Sequence, residues 1–120
     1  MKAEELFNKF QQLLVSNEID PKSATLSKNK TDYSIKFKGN IIFKFKPGNT
    51  DCIYIKKDFQ DEVLKRYEHD ICQFTSAFMI LPVTEINNFD ENFSDLLLLI
   101  VQKLLGQYTA DEFGCCSRYL

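Results

Sequence analysis

The sequence predicts a single α+β domain: an N-terminal helix, an antiparallel meander of three to four strands, and two C-terminal helices packed on one face of the sheet. Three observations predict it. Apolar residues recur at helical spacing near the N-terminus, alternate strictly from Tyr33 to Lys57, and return to helical spacing beyond Asp58. With 120 residues, 44% of them hydrophobic, the chain can build one core without disulfide staples. A net charge of −2 and that apolar fraction exclude disorder.

Leu6, Phe7, Phe10, Leu13 and Leu14 lie on one stripe, which predicts an amphipathic helix from Ala3 to Ser16. Asn17 and the Asp20-Pro21 pair end it. A polar connection leads to a short strand around Ala24 to Ser27. The meander follows. Tyr33, Ile35 and Phe37 alternate with Ser34, Lys36 and Lys38, and Gly39-Asn40 supplies a turn that tolerates positive φ. Phe43 and Phe45 alternate with Lys44 and Lys46, Pro47-Gly48-Asn49 turns the chain, and Ile53 and Ile55 continue the phase. One face is therefore apolar and the other studded with lysine.

Asp58 is placed to cap a second helix with Asp61 and Glu62 in its first turn and a buried stripe of Val63, Leu64, Tyr67, Ile71 and Phe74. The run from Thr75 to Leu81 fits either a helix extension or a buried strand, and Pro82 closes either. Asp90 is placed to cap a third helix through about Leu105, with Gly106 just past its end. Its centre, Leu96 to Val101, is apolar all round, as in a helix central to the core or shared between two chains of a homodimer. Residues 108–120 form a Cys-containing tail on a single domain spanning 1–120. The expected core is Phe7, Phe10, Leu14, Ile35, Phe37, Phe43, Phe45, Ile53, Ile55, Leu64, Tyr67, Leu97 and Ile100.

No run reaches the roughly 18 apolar residues of a membrane span. Lys2 is followed by Glu4 and Glu5 with no apolar stretch of a signal peptide. A cytoplasmic location is expected, where the four cysteines serve as thiols or metal ligands. Charge is distributed unevenly: residues 1–20 carry −2, residues 21–57 carry +7 and residues 58–120 carry −7.

Catalysis finds little support in the residues. His69 is the single histidine, and no nucleophile elbow, phosphate-binding loop or dinucleotide fingerprint occurs. A metal-dependent nuclease needs a second carboxylate near Asp51, where Tyr54 stands instead. His69 and Cys72, three apart on the expected helix, could supply two zinc ligands, with Cys115 and Cys116 from the tail as the others. The competing reading makes Cys72 a small buried apolar residue and the tail thiols free.

Lys36, Lys38, Lys44, Lys46 and Lys56 should share the polar sheet face, with Tyr54 among them as a stacking ring for nucleic acid. Segment 21–57 has no Arg, which bidentate phosphate recognition favours, and lysine also guards exposed strands against aggregation. Asp58, Asp61, Glu62, Glu68 and Asp70 form an acidic surface that could mimic phosphate to a basic partner, or simply a solvated face.

The Lys-rich, Arg-poor composition carries a resemblance, as do the stretches Asn29 to Phe37 and Ile41 to Lys46 and the ending Phe113 to Tyr119. Together they resemble small accessory proteins of phages and mobile elements in low-GC Gram-positive bacteria, of the anti-CRISPR kind. In such proteins the ending runs on into further cysteines, so a metal cluster built by that tail is at most partly reproduced here. The resemblance implies an inhibitor in the host cell that binds an RNA-guided effector nuclease and blocks nucleic-acid loading or cleavage without catalysis. The alternative is a nucleic-acid-binding module that uses the lysine face and is stabilised by zinc.

Overall fold

The computed structural model describes residues 2–48, 51–83 and 89–113, with side chains placed for all of these except 71 and 107–113. Among them, helix α1 (Ala3–Ser16) precedes a six-stranded antiparallel sheet. The strands are β1 (Ala24–Lys28), β2 (Tyr33–Phe37), β3 (Asn40–Lys46), β4 (Cys52–Lys56), β5 (Gln73–Phe74) and β6 (Phe78–Pro82). Between β4 and β5 lies the short helix α2 (Gln60–Leu64), and α3 (Glu91–Phe113) ends the described chain. The sheet order is β1-β2-β3-β4-β6-β5. The α+β class and the meander match expectation, while the sheet is wider than three to four strands.

α1 keeps its predicted bounds and buries Ala3, Leu6, Phe10 and Leu14, so its stripe lies one step from Phe7, which is only half-buried. The helix closes with Asn17 donating to Leu14 O and Ile19 N–H donating to the same carbonyl at 2.9 Å. Glu18 takes the left-handed conformation between them, at φ +60.

Strand pairing sets two faces, because residues directly opposite one another point the same way. Ile35, Phe37, Phe43, Phe45, Ile53, Ile55, Met79 and Leu81 line the inner face and are buried. A register shift beside Ile35 and Lys36 leaves Ile42 as an extra residue on β3, so Ile42 and Phe43 are both buried. The bulge returns Ile41 to the outer face, opposite Lys36. At the β2–β3 turn the central residues are Lys38 and Gly39, with φ +49 and +82. That is the doubly left-handed geometry of a two-residue hairpin turn, one position earlier than Gly39-Asn40.

The helix expected from Asp58 to Phe74 is a correction. Only Gln60–Leu64 is α-helical, after a 3-10 turn at Lys57–Phe59. The chain then passes through a second 3-10 turn, His69–Ile71, into β5. Strands β5 and β6 compete for the same residues and win. β6 places Met79 and Leu81 beside Ile55 and Ile53, completing the inner face. The Thr75 hydroxyl holds the β5–β6 turn by accepting from Phe78 N–H at 2.9 Å, while Thr75 N–H donates to Phe78 O at 2.8 Å. Tyr67 is buried as expected, while Leu64 is half-buried.

α3 starts at its predicted cap, where the Asp90 carboxylate accepts from Phe93 N–H at 2.9 Å. It runs on past Gly106, whose φ is not positive, so the glycine is an interior helix residue rather than a cap. Phe93, Leu96, Leu97, Ile100, Val101 and Leu104 are buried against the sheet's inner face and α1. Phe93 meets Phe43 edge-to-face at 5.6 Å. Leu98 and Leu99, on the far side of the helix, are half-buried. The described helices all lie on the inner side. No helix among the described residues is long and apolar enough to cross a membrane.

Candidate functional site

The outer face of the sheet carries the most distinctive surface. Its rows read from the register. Thr25 pairs with Lys36 and Lys36 with Ile41, while Ser34 pairs with Lys44, Lys44 with Tyr54 and Tyr54 with Ile80. Lys46, Cys52 and Pro82 form another row, and Lys56 pairs with Phe78. No Asp or Glu stands among these positions. Lys36, Lys44 and Lys56 are half-buried and Lys46 is exposed. None of the four is paired with a carboxylate among the described residues.

At the centre of this face the Tyr54 and Phe78 rings meet edge-to-face, with centroids 6.1 Å apart and planes at 72°. The Lys44 ammonium lies 5.3 Å from the Phe78 centroid, within cation–π range. Ile41, Ile80 and Pro82 are half-buried around them. The surface therefore interleaves aromatic rings and cations, Lys44 opposite Tyr54 and Lys56 opposite Phe78. Ser34 is the buried polar residue of the face at 3% exposure, and it accepts from the Asn29 amide at 2.9 Å. That bond pins the β1–β2 loop and keeps the edge of the face in place.

Of the expected basic residues, Lys36, Lys44, Lys46 and Lys56 share the face with Tyr54. Lys38 does not: it occupies the turn, and its ammonium sits 5.9 Å from the centroid of the buried Phe37 ring. Sequence reasoning missed Phe78, Ile80 and Ile41. The alternation of Phe78, Ile80 and Pro82 with Met79 and Leu81 was the available signal, hidden by the helix reading of the preceding segment.

The acidic residues are dispersed rather than aligned on one helix. Asp58, Asp61, Glu68 and Asp70 are exposed. Glu62 turns inward and pairs with Lys103 at 3.1 Å, and the same ammonium donates to Asp58 O at 3.1 Å. Arg66 and Asp95 approach to 3.7 Å, and the Asn92 amide donates to Arg66 O at 2.9 Å. These contacts tie α2 and its following turn to α3. Beside them a cleft of about 210 Å³ is lined by Asn40, Ile41, Lys56, Asp58, Phe59, Lys103 and Leu104.

His69 opens a 3-10 turn and Cys72 follows it, instead of the two sharing an α-helical face. The exposed His69 ring stacks on Phe74, with centroids 4.8 Å apart. Cys72 is buried, its thiol donating to Glu68 O at 3.5 Å, and burial pushes that thiol's pKa up. Among the described residues no three His, Cys, Asp or Glu side chains are grouped to hold a metal. Cys115 and Cys116 lie outside the described residues. No family model, curated protein or solved structure matches this chain.

Proposed function

We propose that this chain is a binding protein without catalysis, whose outer sheet face holds the phosphate backbone of nucleic acid. The observation that carries the reading is the set Lys36, Lys44, Lys46 and Lys56 on paired strand positions that include no Asp or Glu, the Asp32 carboxylate standing at the edge of the face on the Asn29 amide. Four cations without a carboxylate partner among the described residues can follow a chain of phosphates at strand spacing, and each neutralised phosphate releases counterions. The absence of Arg on the face fits backbone holding by point charges rather than bidentate base readout.

The test is fluorescence anisotropy of labelled oligonucleotides with the combined variant Lys36→Gln, Lys44→Gln, Lys56→Gln. Affinity is expected to fall roughly tenfold or more, while Lys38→Gln, off the face, changes it little. Unchanged affinity in the combined variant would overturn the reading.

A second reading keeps the inhibitor role that the resemblance implies. The exposed carboxylates Asp58, Asp61, Glu68 and Asp70 favour it, since a surface of that sign complements the basic groove of an RNA-guided nuclease. A stable complex with such an effector on size exclusion supports it, and no complex across a panel of effectors rejects it.

A further inference from the structure

We infer that the outer face selects single-stranded over double-stranded nucleic acid, gripping an unpaired base in the corner between Tyr54 and Phe78. The inference rests on the nucleic-acid reading above and names the form of the ligand. A surface meant only for phosphates needs cations throughout. Here the cations are interleaved with two half-buried aromatic rings: Lys44 pairs with Tyr54 and Lys56 with Phe78, across the central strands β3, β4 and β6. That alternation of ring and cation matches a single strand, which offers an unpaired base and a phosphate at each step.

A duplex cannot use it. Its bases are already stacked inside the helix, and a sheet face broader than a groove touches mainly backbone. An unpaired base has both faces free and gains from any aromatic plane regardless of its identity. The 72° angle between the Tyr54 and Phe78 rings defines the geometry further. A base lying flat on one ring meets the other ring nearly at a right angle, so the pair encloses one base and is not a shelf for a long stack. Lys44, whose ammonium lies over the Phe78 ring at 5.3 Å, swings off that ring when a base stacks there and meets the phosphate next to the base. Apart from the lysines, Cys52 and the Tyr54 hydroxyl, the polar residues of the face are Thr25, Ser27, Ser34 and Gln73, and Ser34 is already occupied by Asn29. With so few groups free to read base edges, little sequence preference is expected.

The test compares four labelled probes of equal length against the full chain: single-stranded DNA, single-stranded RNA, an abasic strand with the same phosphates, and a DNA duplex. Either base-bearing single strand is expected to bind about tenfold more tightly than the abasic strand. The two arms show whether ribose or deoxyribose is preferred. Tyr54→Leu and Phe78→Leu, which keep an apolar side chain in each strand, are expected to bring that affinity down to the abasic level while leaving abasic binding within about twofold. Unchanged thermal unfolding of these variants confirms that the sheet is intact. If abasic strand or duplex binds as well as the base-bearing strands, and the lysine dependence persists, the stacking inference is overturned and the phosphate-holding reading stands. If no probe binds, both fall.

Discussion

Among the described residues Glu18, Lys38 and Phe89 hold left-handed backbone without being glycine, and the first two sit where glycine or asparagine belongs. Glu18 closes α1 at φ +60 and Lys38 opens the β2–β3 turn at φ +49. Glu18→Gly and Lys38→Asn relieve that strain, and each is expected to stabilise the fold by about 0.5–1 kcal/mol in denaturant titration. Gly39→Ala, at φ +82, is expected to cost about 1 kcal/mol although nothing crowds the position. Cys72 makes a different point at the same scale. Burial raises its pKa, so the folded state favours the protonated thiol. That contribution is complete below the ordinary thiol value of 9.0 and is lost as pH rises through the raised one. The alkaline decline in stability is therefore expected to be shallower in Cys72→Ala than in the parent chain. Mass mapping of alkylation should show Cys52, half-buried, reacting ahead of Cys72. Equal rates would place Cys72 nearer to solvent than the structure does.

Elements with strong periodicity were legible from residues alone, and those decided by competition were not. α1 and the β2–β4 meander follow from the spacing of Leu6, Phe10 and Leu14 and from the alternation of Ile35, Phe43 and Ile53. The Asp90 cap was equally legible, because a carboxylate ahead of an apolar run has one local use. Asp90→Ala is expected to cost about 1 kcal/mol, read as a lower unfolding midpoint. Asp58 to Phe74 misled for a physical reason. Its acidic first turn is real, but helix propensity is a weak preference that the sheet overrides when Met79 and Leu81 complete its inner face. With β6 unassigned, Phe78 had no face, and half of the aromatic corner was invisible. The bulge at Ile42 was hidden likewise, since Ile41 and Ile42 are both apolar and only the pairing shows which one turns outward.

Across the whole molecule, the segment charges of +7 and −7 resolve into surfaces rather than cancelling. Four lysines stay on the outer face, while Lys103 and Arg66 are spent within the acidic half on Glu62 and Asp95. If the four face lysines each neutralise a phosphate, log affinity for a single strand is expected to fall with log salt at a slope of about −3. A flat salt dependence would remove the electrostatic part of the proposal. The charge split was legible from counting alone. The separation of Lys38 from the other four lysines was not, because it depends on where a two-residue turn falls.

The one-sided covering of the sheet also shapes how the chain can be made. β1 to β4 pair with sequence neighbours, so the meander can assemble as it leaves the ribosome, with α1 already available to one part of it. Phe43, which packs on Phe93, must wait for α3. At roughly 5–20 residues per second that interval lasts seconds, with aromatic residues on one side of a nascent sheet open to water. Lysine on the opposite side of the same strands acts through those seconds as a gatekeeper, setting like charges against one another wherever two unfinished chains approach. Lys44→Val is accordingly expected to lower the yield of refolding from denaturant as protein concentration rises, and an unchanged yield would confine the lysines' role to the finished fold.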